Sequence, residues 1–425
     1  MSLKLSAHGV TVSGAVFHAV GEPTQQPQDG AAPAPAPSSL PLPVANGAVD
    51  LSQLGPRGGE PQLELALSGP AGHGTATVPL SAPPGDRSRG WAQLVCSAPN
   101  VLAYVLFGER EDTAVLIAYP GPQDFMGALP DEWSFGDVTM CGTHESSAQT
   151  GMFISKCQDR DIATQLAEGV RVLDVRMRLN ANTGELETYH GIRPQYSTLK
   201  VYLDAIDAFL AAHPREAIMI SLKEETPPDH PDFSKAVYDL LQTYGPRFVY
   251  TEHVATLGEL RGKAQLMTRF GRKDNAPWAE GLGFHPSRWP DSARDGFECD
   301  CHGTPIRISD WYGLDSALDI PLKAQAVCEF LAHTTACAPG SQISLAFTSA
   351  ARFPTATPQW VAKGVGAPTF GLGIHGVNAR VVHWLLQQAV MGKRPRAIVM
   401  ADFYEYTGSG EAGLGSLLGA MNYVK

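Results

Sequence analysis

Two patterns of hydrophobic and polar residues divide the chain near residue 120. Before that point, short segments alternate apolar and polar residues between turns rich in Gly, Pro and Asp. Because alternate strand residues point to opposite faces, this pattern predicts a small all-β, sandwich-like domain over residues 1–120. Within it, residues 22–48 are rich in Pro, Ala, Gln and Ser, which predicts a disordered Pro/Ala-rich loop. The alternating segments are residues 3–20, 62–67, 74–80, 91–97 and 101–119.

Beyond about residue 125, apolar runs of strand length alternate with amphipathic helical segments. This alternation is typical of an α/β fold, and we predict a TIM-like, irregular β/α barrel as the catalytic domain over residues 121–425. One helix is predicted near residues 199–210, capped by Ser197 and ended by His213-Pro214. Further helices are predicted near residues 233–243, 322–333 and 379–391. The seven predicted strands are residues 138–141, 170–175, 217–222, 264–268, 306–309, 343–347 and 397–401.

Composition narrows the class of protein. At 425 residues, with 44% hydrophobic and 18% charged residues, the chain is long enough for two domains with ordinary cores. The formal net charge of −11 argues against binding nucleic acid by bulk electrostatic attraction. The chain has no apolar run of about 18 residues and no signal-like N-terminus, so we expect no transmembrane segment and no export. A cytoplasmic location is therefore the default expectation.

The seven cysteines lie mostly in apolar runs and are interpreted as buried free thiols. Cys299, Cys301 and His302 could be metal ligands, but no second Cys/His pair stands at zinc spacing. We therefore expect a loop with incidental thiols at this place, and we predict neither a metal nor a cofactor.

Polar residues follow six of the predicted strands, at or just beyond their carboxyl ends. In a β/α barrel this rim is where active-site residues collect from several strands, whereas residues that only stabilise the fold have no reason to gather there. The sequence therefore predicts a site at the rim. Its members are His144, Asp174 with Arg176, Lys223, Arg269, Asp310 and Asp402.

These side chains suit the cleavage of a phosphodiester. His144 and His190 each end a short apolar run, and an imidazole, with an ordinary pKa of about 6.5, can give or take a proton near neutrality. Asp174 and Arg176 are two residues apart, so on a strand both point to one face, where the guanidinium can hold phosphate oxygens. For this pair alone, a half-buried ion pair is the more common explanation.

Longer motifs resemble the X domain of phosphatidylinositol-specific phospholipase C, and the resemblance is to the bacterial, metal-independent type. It covers about 300 C-terminal residues in the family's order and leaves the first 120 residues outside. The motifs are Cys-Gly-Thr-His-Glu-Ser-Ser at 141–147, Gln-Leu-Ala-Glu-Gly-Val-Arg-Val-Leu-Asp-Val-Arg at 165–176, Tyr-His-Gly at 189–191 and Ser-Asp-Trp-Tyr at 309–312.

The resemblance implies a role for each matching residue. His144 would be the general base for the inositol 2-hydroxyl, held by Asp402. His190 would be the general acid for the diacylglycerol oxygen, backed by Glu145. Arg176, with Asp174 beside it, would stabilise charge on the phosphoryl oxygens. The residues implied to hold the inositol hydroxyls are Lys223, Arg269, Asp310 and Tyr312.

Two departures bear on this assignment. The bacterial pattern has Asp where this chain has Glu145, whose extra methylene lengthens the reach towards His190. The calcium-dependent eukaryotic branch has an acidic residue where this chain has Arg176, and a guanidinium there would repel a cation. The resemblance therefore implies a phosphoryl transfer that needs no metal.

The expected activity is cleavage of phosphatidylinositol at a membrane surface into diacylglycerol and inositol 1,2-cyclic phosphate. Glycosylphosphatidylinositol anchors are a further candidate substrate, and we expect a monomer. Two alternatives stay open: a non-catalytic phosphoinositide or inositol-phosphate binder, and a related barrel phosphodiesterase. Three loop tryptophans near the rim, Trp278, Trp289 and Trp311, could touch a bilayer, although ordinary loop packing is the more common role of such residues.

Overall fold

The computed structural model describes the chain in nine stretches. They are residues 2–19, 39–54, 61–81, 83–225, 230–270, 282–286, 288–301, 303–410 and 412–425. Strands up to Ala118 form two sheets, and those from Met140 onwards form a third, larger sheet and a small hairpin. We call residues 2–118 the N-terminal module and the structure around the larger sheet the barrel.

Two sheets packed face to face make up the N-terminal module. The first has, in spatial order, strands Val44–Ala45, Ala48–Asp50, Ser2–His8, Thr113–Ala118, Val101–Leu106 and Trp91–Gln93. The second has strands Ser39–Leu42, Thr11–His18, Gln62–Gly69, Gly72–Pro79 and Val95–Cys96. A short helix, Pro84–Arg89, connects them. The predicted sandwich-like fold of this region is confirmed.

The module also packs against the barrel. Along strand Thr113–Ala118, Ala114 and Leu116 belong to the core between the module's two sheets, whereas Val115 and Ile117 belong to the core of the barrel. Because successive side chains of a strand point to opposite faces, one strand contributes to both cores. Trp91 is completely buried in the same contact.

The prediction of a disordered loop over residues 22–48 is wrong for its last ten residues. Residues 39–48 contain strands Ser39–Leu42 and Val44–Ala45 and the start of Ala48–Asp50. Leu42 is buried in the module core, which outweighs the Pro-rich composition. Pro41 lacks an N–H, and its strand accordingly lies at the edge of its sheet. The rest of the predicted loop, residues 22–38, lies outside the described residues.

The barrel contains the seven predicted strands, all parallel. In spatial order they are Lys263–Arg269, Ala217–Glu224, Val170–Leu179, Met140–Thr143, Ile398–Ala401, Ile343–Phe347 and Thr304–Asp310. Phe248–Val249 and Ala293–Cys301 extend the two ends, and a hairpin of Leu186–His190 and Arg193–Thr198 continues from Val170–Leu179. In the described part of the chain, no ladder joins Lys263–Arg269 to Thr304–Asp310, so the barrel is open on that side.

Helices alternate with the strands of this sheet along the chain. They are Met152–Ser155, Ile162–Ala167, Leu199–Ala212, Phe233–Gln242, Leu257–Leu260, Ile320–Thr334, Pro358–Lys363, Val377–Val390 and Leu414–Met421. The short 3-10 turns are Phe135–Asp137, Gly245–Arg247, Ala317–Asp319 and Pro368–Phe370, and strands Gly364–Ala367 and Leu372–His375 pair as a separate hairpin. In the described ranges, no helix is both long enough and apolar enough to cross a membrane.

Two local predictions are corrected. Thr198, not Ser197, is the N-cap of Leu199–Ala212: it is the last residue with an extended backbone, at φ −126° and ψ 157°, before the helix begins. Cys299 and Cys301 lie in strand Ala293–Cys301 rather than in a loop. The thiol of Cys301 donates to the carbonyl of Glu252 at 3.1 Å. His302 is outside the described residues.

Candidate active site

A cavity of about 680 Å³ lies at the carboxyl ends of the barrel strands. Nine of the ten residues predicted for the site line it, since each follows or ends a strand whose carboxyl end meets the same rim. These nine are His144, Glu145, Arg176, His190, Lys223, Arg269, Asp310, Tyr312 and Asp402. The tenth, Asp174, lies behind the wall.

His144 is held by hydrogen bonds on both of its ring nitrogens. Nδ1 lies 2.8 Å from Oδ1 of Asp402, and Nε2 lies 3.0 Å from Nη2 of Arg176. A guanidinium can only donate, so Nε2 accepts in this geometry and the ring proton is on Nδ1. Burial lowers the pKa of His144, but the charge and hydrogen bond of Asp402 outweigh burial and raise it above 6.5.

The residues after His144 and Asp402 share an unusual backbone conformation. Glu145 has φ +43° and Phe403 has φ +45°, a region that costs energy for residues other than Gly. Asn378 donates to the carbonyls of Asp402 and Phe403 at 2.9 and 3.0 Å. This buried amide fixes the turn that presents the Asp402 carboxylate to the imidazole.

His190 comes from the hairpin Leu186–His190 and Arg193–Thr198, which pairs with strand Val170–Leu179. Its Nδ1 lies 2.8 Å from the carbonyl oxygen of Ser155 and 3.2 Å from Oε2 of Glu145. The carbonyl takes the hydrogen bond, because Glu145 Oε2 has no hydrogen bond of its own in this geometry. Nδ1 therefore carries a proton, and the Glu145 carboxylate provides a nearby negative charge for an imidazolium.

Arg176 lies among three carboxylates. Its Nη1 is 2.5 Å from Oε1 of Glu145 and 3.8 Å from Oε2 of Glu225, and its Nη2 is 3.2 Å from Oδ2 of Asp174. Burial disfavours the charged guanidinium, but these neighbours outweigh burial and raise the pKa of Arg176. The side chain is 14% exposed, so part of a fixed positive charge faces the cavity.

Asp174 is a positioning residue and not part of the cavity wall. It is 1% exposed and accepts hydrogen bonds from Arg176 and from the backbone N–H of Glu145. Its other oxygen lies 3.5 Å from Nη1 of Arg269. Burial opposes ionisation, but the two guanidiniums outweigh burial and hold the pKa of Asp174 far below 3.8.

Four residues predicted to hold the substrate also line the cavity. Nζ of Lys223 lies 3.6 Å from Oε2 of Glu225, and burial, together with the charge of Arg176, lowers the pKa of Lys223. The guanidinium of Arg269 stacks on Trp289 at 3.7 Å from the ring centroid. Trp289 donates to Oδ2 of Asp310 at 2.8 Å. The fourth residue, Tyr312, is 40% exposed at the mouth.

Other cavity residues were not predicted. Glu225 stands two residues beyond Lys223, so strand alternation could have placed both at the rim. Trp289 packs within the site and does not project from it, and Trp311 donates to the carbonyl of Gly313. Trp278 lies outside the described residues. The long-range contacts of Cys157, His285 and Ser349 left no spacing signal in the sequence.

The rim of this open β/α barrel brings together two histidines, a guanidinium and separate carboxylates, which are groups suited to acid–base chemistry on a phosphate ester. Comparison with known proteins identifies the family that this site resembles. Residues 132–255 match the sequence model of the PI-PLC X family. This segment is therefore similar to the PI-PLC X domain, and the resemblance found in the motifs is confirmed.

The curated relatives are bacterial proteins named 1-phosphatidylinositol phosphodiesterase. One from Staphylococcus aureus is 27% identical over 206 residues, which cover 45% of this chain and 64% of the relative. One from Listeria monocytogenes is 27% identical over 159 residues, which cover 34% of this chain and 48% of the relative. The matched segment thus spans about half to two thirds of these relatives.

Solved structures show the same fold over a longer stretch. The phosphatidylinositol-specific phospholipase C of Staphylococcus aureus superposes with a TM-score of 0.57 at 22% identity, covering 71% of this chain and 98% of that one. The Listeria monocytogenes enzyme of the same name gives 0.53 at 20% identity, covering 72% and 99%. The predicted irregular barrel is therefore confirmed.

Proposed function

We propose that this protein is a phosphatidylinositol-specific phospholipase C, an enzyme that cleaves phosphatidylinositol into diacylglycerol and inositol 1,2-cyclic phosphate. One observation carries the proposal: the accepting nitrogen of His144 faces the guanidinium of Arg176 at 3.0 Å, while Asp402 holds the other nitrogen. A phosphate bound by that guanidinium would lie beside the base. The names of the bacterial relatives agree with this chemistry.

The reaction is an attack of one substrate oxygen on the phosphorus of the same molecule. His144 Nε2 takes the proton of the inositol 2-hydroxyl, and the freed oxygen forms a bond to phosphorus. The bond from phosphorus to the diacylglycerol oxygen breaks, and His190 gives that oxygen a proton from Nε2. A proton thus moves from the sugar to His144 and another from His190 to the leaving group. Solvent exchange restores both histidines.

Arg176 supplies the positive charge that this transfer needs. Its guanidinium can donate to the phosphoryl oxygens as negative charge builds on them, and three neighbouring carboxylates hold it in place. The charge is built into the protein, so the proposed mechanism includes no metal. Lys223, Arg269, Asp310 and Tyr312 are proposed to bind the inositol hydroxyls.

The proposed partner is phosphatidylinositol in a membrane surface. Apolar side chains are exposed beside the cavity, in the segments that follow the strands ending at Asp310 and Phe347: Tyr312, Leu318, Phe353 and Trp360 are 40%, 76%, 60% and 41% exposed. Such groups can enter the interfacial region of a bilayer despite the chain's net negative charge. The cytoplasmic location and the monomeric state stay predictions.

Vesicles of phosphatidylinositol, phosphatidylcholine or a phosphorylated phosphoinositide test the proposal, with diacylglycerol release as the readout. We expect cleavage of phosphatidylinositol only, and a loss of about 100-fold or more in kcat for His190→Ala and His144→Ala. Binding of the same vesicles without cleavage, unchanged in His190→Ala, would instead identify a non-catalytic binder. Activity on phosphatidylcholine alone would contradict the assigned head group.

A further inference from the structure

Cys157 is a cavity residue that the proposed acid–base chemistry does not use. Its side chain is buried, and its sulfur lies 3.9 Å from Nδ1 of His190. With His144 and Asp402 it brings one sulfur, one nitrogen and one oxygen ligand within 4.8 Å of one another. In the part of the chain that the structure describes, no other three metal-ligating side chains are grouped this closely.

We propose that His144, Asp402 and Cys157 form an inhibitory site for a thiophilic divalent cation such as Zn²⁺ or Cd²⁺. Imidazole, carboxylate and thiolate are the three ligand types of protein zinc sites. At zinc's bond lengths, ligand atoms of a tetrahedral site stand about 3.5 Å apart. The most distant pair of ligand atoms, at most 4.8 Å apart, would have to close in by about 1 Å, and water would complete the coordination.

Hydrogen bonds to backbone carbonyls already link the segments that carry these three residues. The N–H of Phe403, next to Asp402, donates to the carbonyl of Cys157 at 2.8 Å. The amide of Gln158, the next residue after Cys157, donates to the carbonyls of His144 at 2.7 Å and Ala401 at 2.9 Å. The three ligands thus belong to one hydrogen-bonded unit. Little conformational entropy would therefore be lost when a cation binds.

The charge of the cavity also permits a cation. The Arg176 guanidinium next to His144 would repel one, but three carboxylates compensate it. In and directly behind the wall, carboxylates outnumber cationic side chains by two when the histidines are neutral. The carboxylates are Glu145, Asp174, Glu225, Asp291, Asp310 and Asp402, and the cations are Arg176, Lys223, Arg269 and Lys323. A divalent cation would balance this excess.

Binding would stop the proposed reaction at its first step. The cation replaces the thiol proton of Cys157, which leaves to solvent, and forms bonds to the sulfur, to an imidazole nitrogen and to a carboxylate oxygen. Coordination through Nδ1 replaces the hydrogen bond to Asp402, and coordination through Nε2 occupies the lone pair that takes the substrate proton. In both cases His144 no longer acts as the base.

Direct binding is measured by the ultraviolet thiolate-to-cadmium charge-transfer absorption on titration of the full chain with CdCl₂. Six other cysteines are present, so Cys157→Ala is compared with Cys337→Ala, which removes a partly exposed thiol away from the cavity. We expect Cys157→Ala to lose the tightest-binding component and Cys337→Ala to keep it. A tightest component unchanged in Cys157→Ala would overturn the proposal. Cys157→Ser replaces the alanine variant if that one does not fold.

Inhibition is the second readout, and it alone rests on the proposed phospholipase activity. We expect Zn²⁺ to reduce phosphatidylinositol cleavage by the unmodified protein. The concentration that halves the rate should rise about tenfold or more in Cys157→Ala, relative to that variant's own uninhibited rate, and stay the same in Cys337→Ala. Equal sensitivity in both variants would overturn the inhibitory role. If no phosphatidylinositol is cleaved, the proposed function fails while the cadmium titration still tests the site.

Discussion

The two histidines of the cavity differ in what holds them, and this difference assigns their tasks. Nδ1 of His144 faces a carboxylate and its Nε2 accepts from Arg176, as a base requires. Nδ1 of His190 donates to the carbonyl of Ser155, so a proton released to substrate comes from Nε2. The sequence could predict that two imidazoles meet at one rim. It could not predict the Ser155 carbonyl, because a backbone group leaves no residue pattern.

Removing the charge of Asp402 should change the pH dependence of cleavage. Asp402 raises the pKa of His144, and the base acts only when it is neutral, so the rate falls as pH drops through that pKa. In Asp402→Asn the opposing effect of burial remains, so the pKa falls and the acidic limb moves to lower pH. We expect kcat to drop about 100-fold, because the ring also loses its orientation. Asp239→Asn, an exposed surface change, is the control, and an unmoved acidic limb would refute the pairing.

Glu145 should be needed for its charge more than for its length. Its two oxygens lie 2.5 Å from Arg176 Nη1 and 3.2 Å from His190 Nδ1, so one carboxylate serves both groups. We expect Glu145→Gln to lower kcat about 10- to 100-fold and Glu145→Asp to lower it less, since aspartate keeps the charge. The kcat of both variants on phosphatidylinositol vesicles checks this. A larger loss of kcat in Glu145→Asp than in Glu145→Gln would mean that the length of the side chain matters more than its charge.

At the scale of elements, strand Val170–Leu179 places its two charged residues at different depths, which the alternation of strand side chains does not predict. Asp174 and Arg176 share one face, as predicted, but only Arg176 reaches the cavity. Arg269, from the end of the next strand but one, meets Asp174 from the other side. The register of three neighbouring strands decides which carboxylate lines the cavity and which is buried behind its wall. That register cannot be deduced from the sequence alone.

The hairpin that carries His190 was also not predicted. Its strands Leu186–His190 and Arg193–Thr198 are short and mostly polar, so they lack a clear hydrophobic period. By contrast, the seven barrel strands are almost wholly buried. Their continuous apolar runs therefore allowed them to be predicted from the sequence. The barrel could be predicted because its strands are buried, and the hairpin could not because its strands are half-exposed.

Asp174 should contribute strongly to stability because it pairs two buried guanidiniums. We expect Asp174→Asn to lower the free energy of unfolding by about 3 kcal/mol or more, measured by urea denaturation at pH 7. The folded pKa of this group lies below the ordinary 3.8, so its contribution is present above about pH 4 and is lost as pH falls. The variant should therefore lose less stability on acidification than the unmodified protein. For Asp239→Asn we expect a change within about 0.5 kcal/mol, and equal effects of the two changes would contradict this account.

At the scale of the whole molecule, hydrogen bonds and a buried apolar contact join the N-terminal module to the barrel. Trp91 of the module donates to the carbonyl of Ala379 at 2.9 Å, and Arg89 donates to the carbonyl of Gly408. Gln93 accepts from the N–H of Ala412 at 3.0 Å. The contacts with Gly408 and Ala412 lie in the segment that follows Asp402. The alternating patterns predicted two folds but not their contact, because both faces of a doubly buried strand are apolar.

Truncating Trp91 should therefore destabilise the whole chain. We expect Trp91→Ala to lower the free energy of unfolding by about 3–5 kcal/mol, because it removes a completely buried ring. Fluorescence and circular dichroism should report one shared transition in the unmodified protein. Trp360→Ala removes a 41% exposed ring and should change stability by about 0.5 kcal/mol or less. Two separate transitions, with the barrel unaffected by Trp91→Ala, would show that the module is an independent appendage.

The central claim is that Arg176 supplies the positive charge for phosphoryl transfer without a metal. The direct measurement is phosphorus NMR of phosphatidylinositol vesicles incubated with the protein in excess EDTA. We predict that inositol 1,2-cyclic phosphate forms at the same rate with and without the chelator, and that Arg176→Lys slows it because lysine lacks the guanidinium fork. Activity that vanishes in EDTA and returns with calcium would contradict the claim.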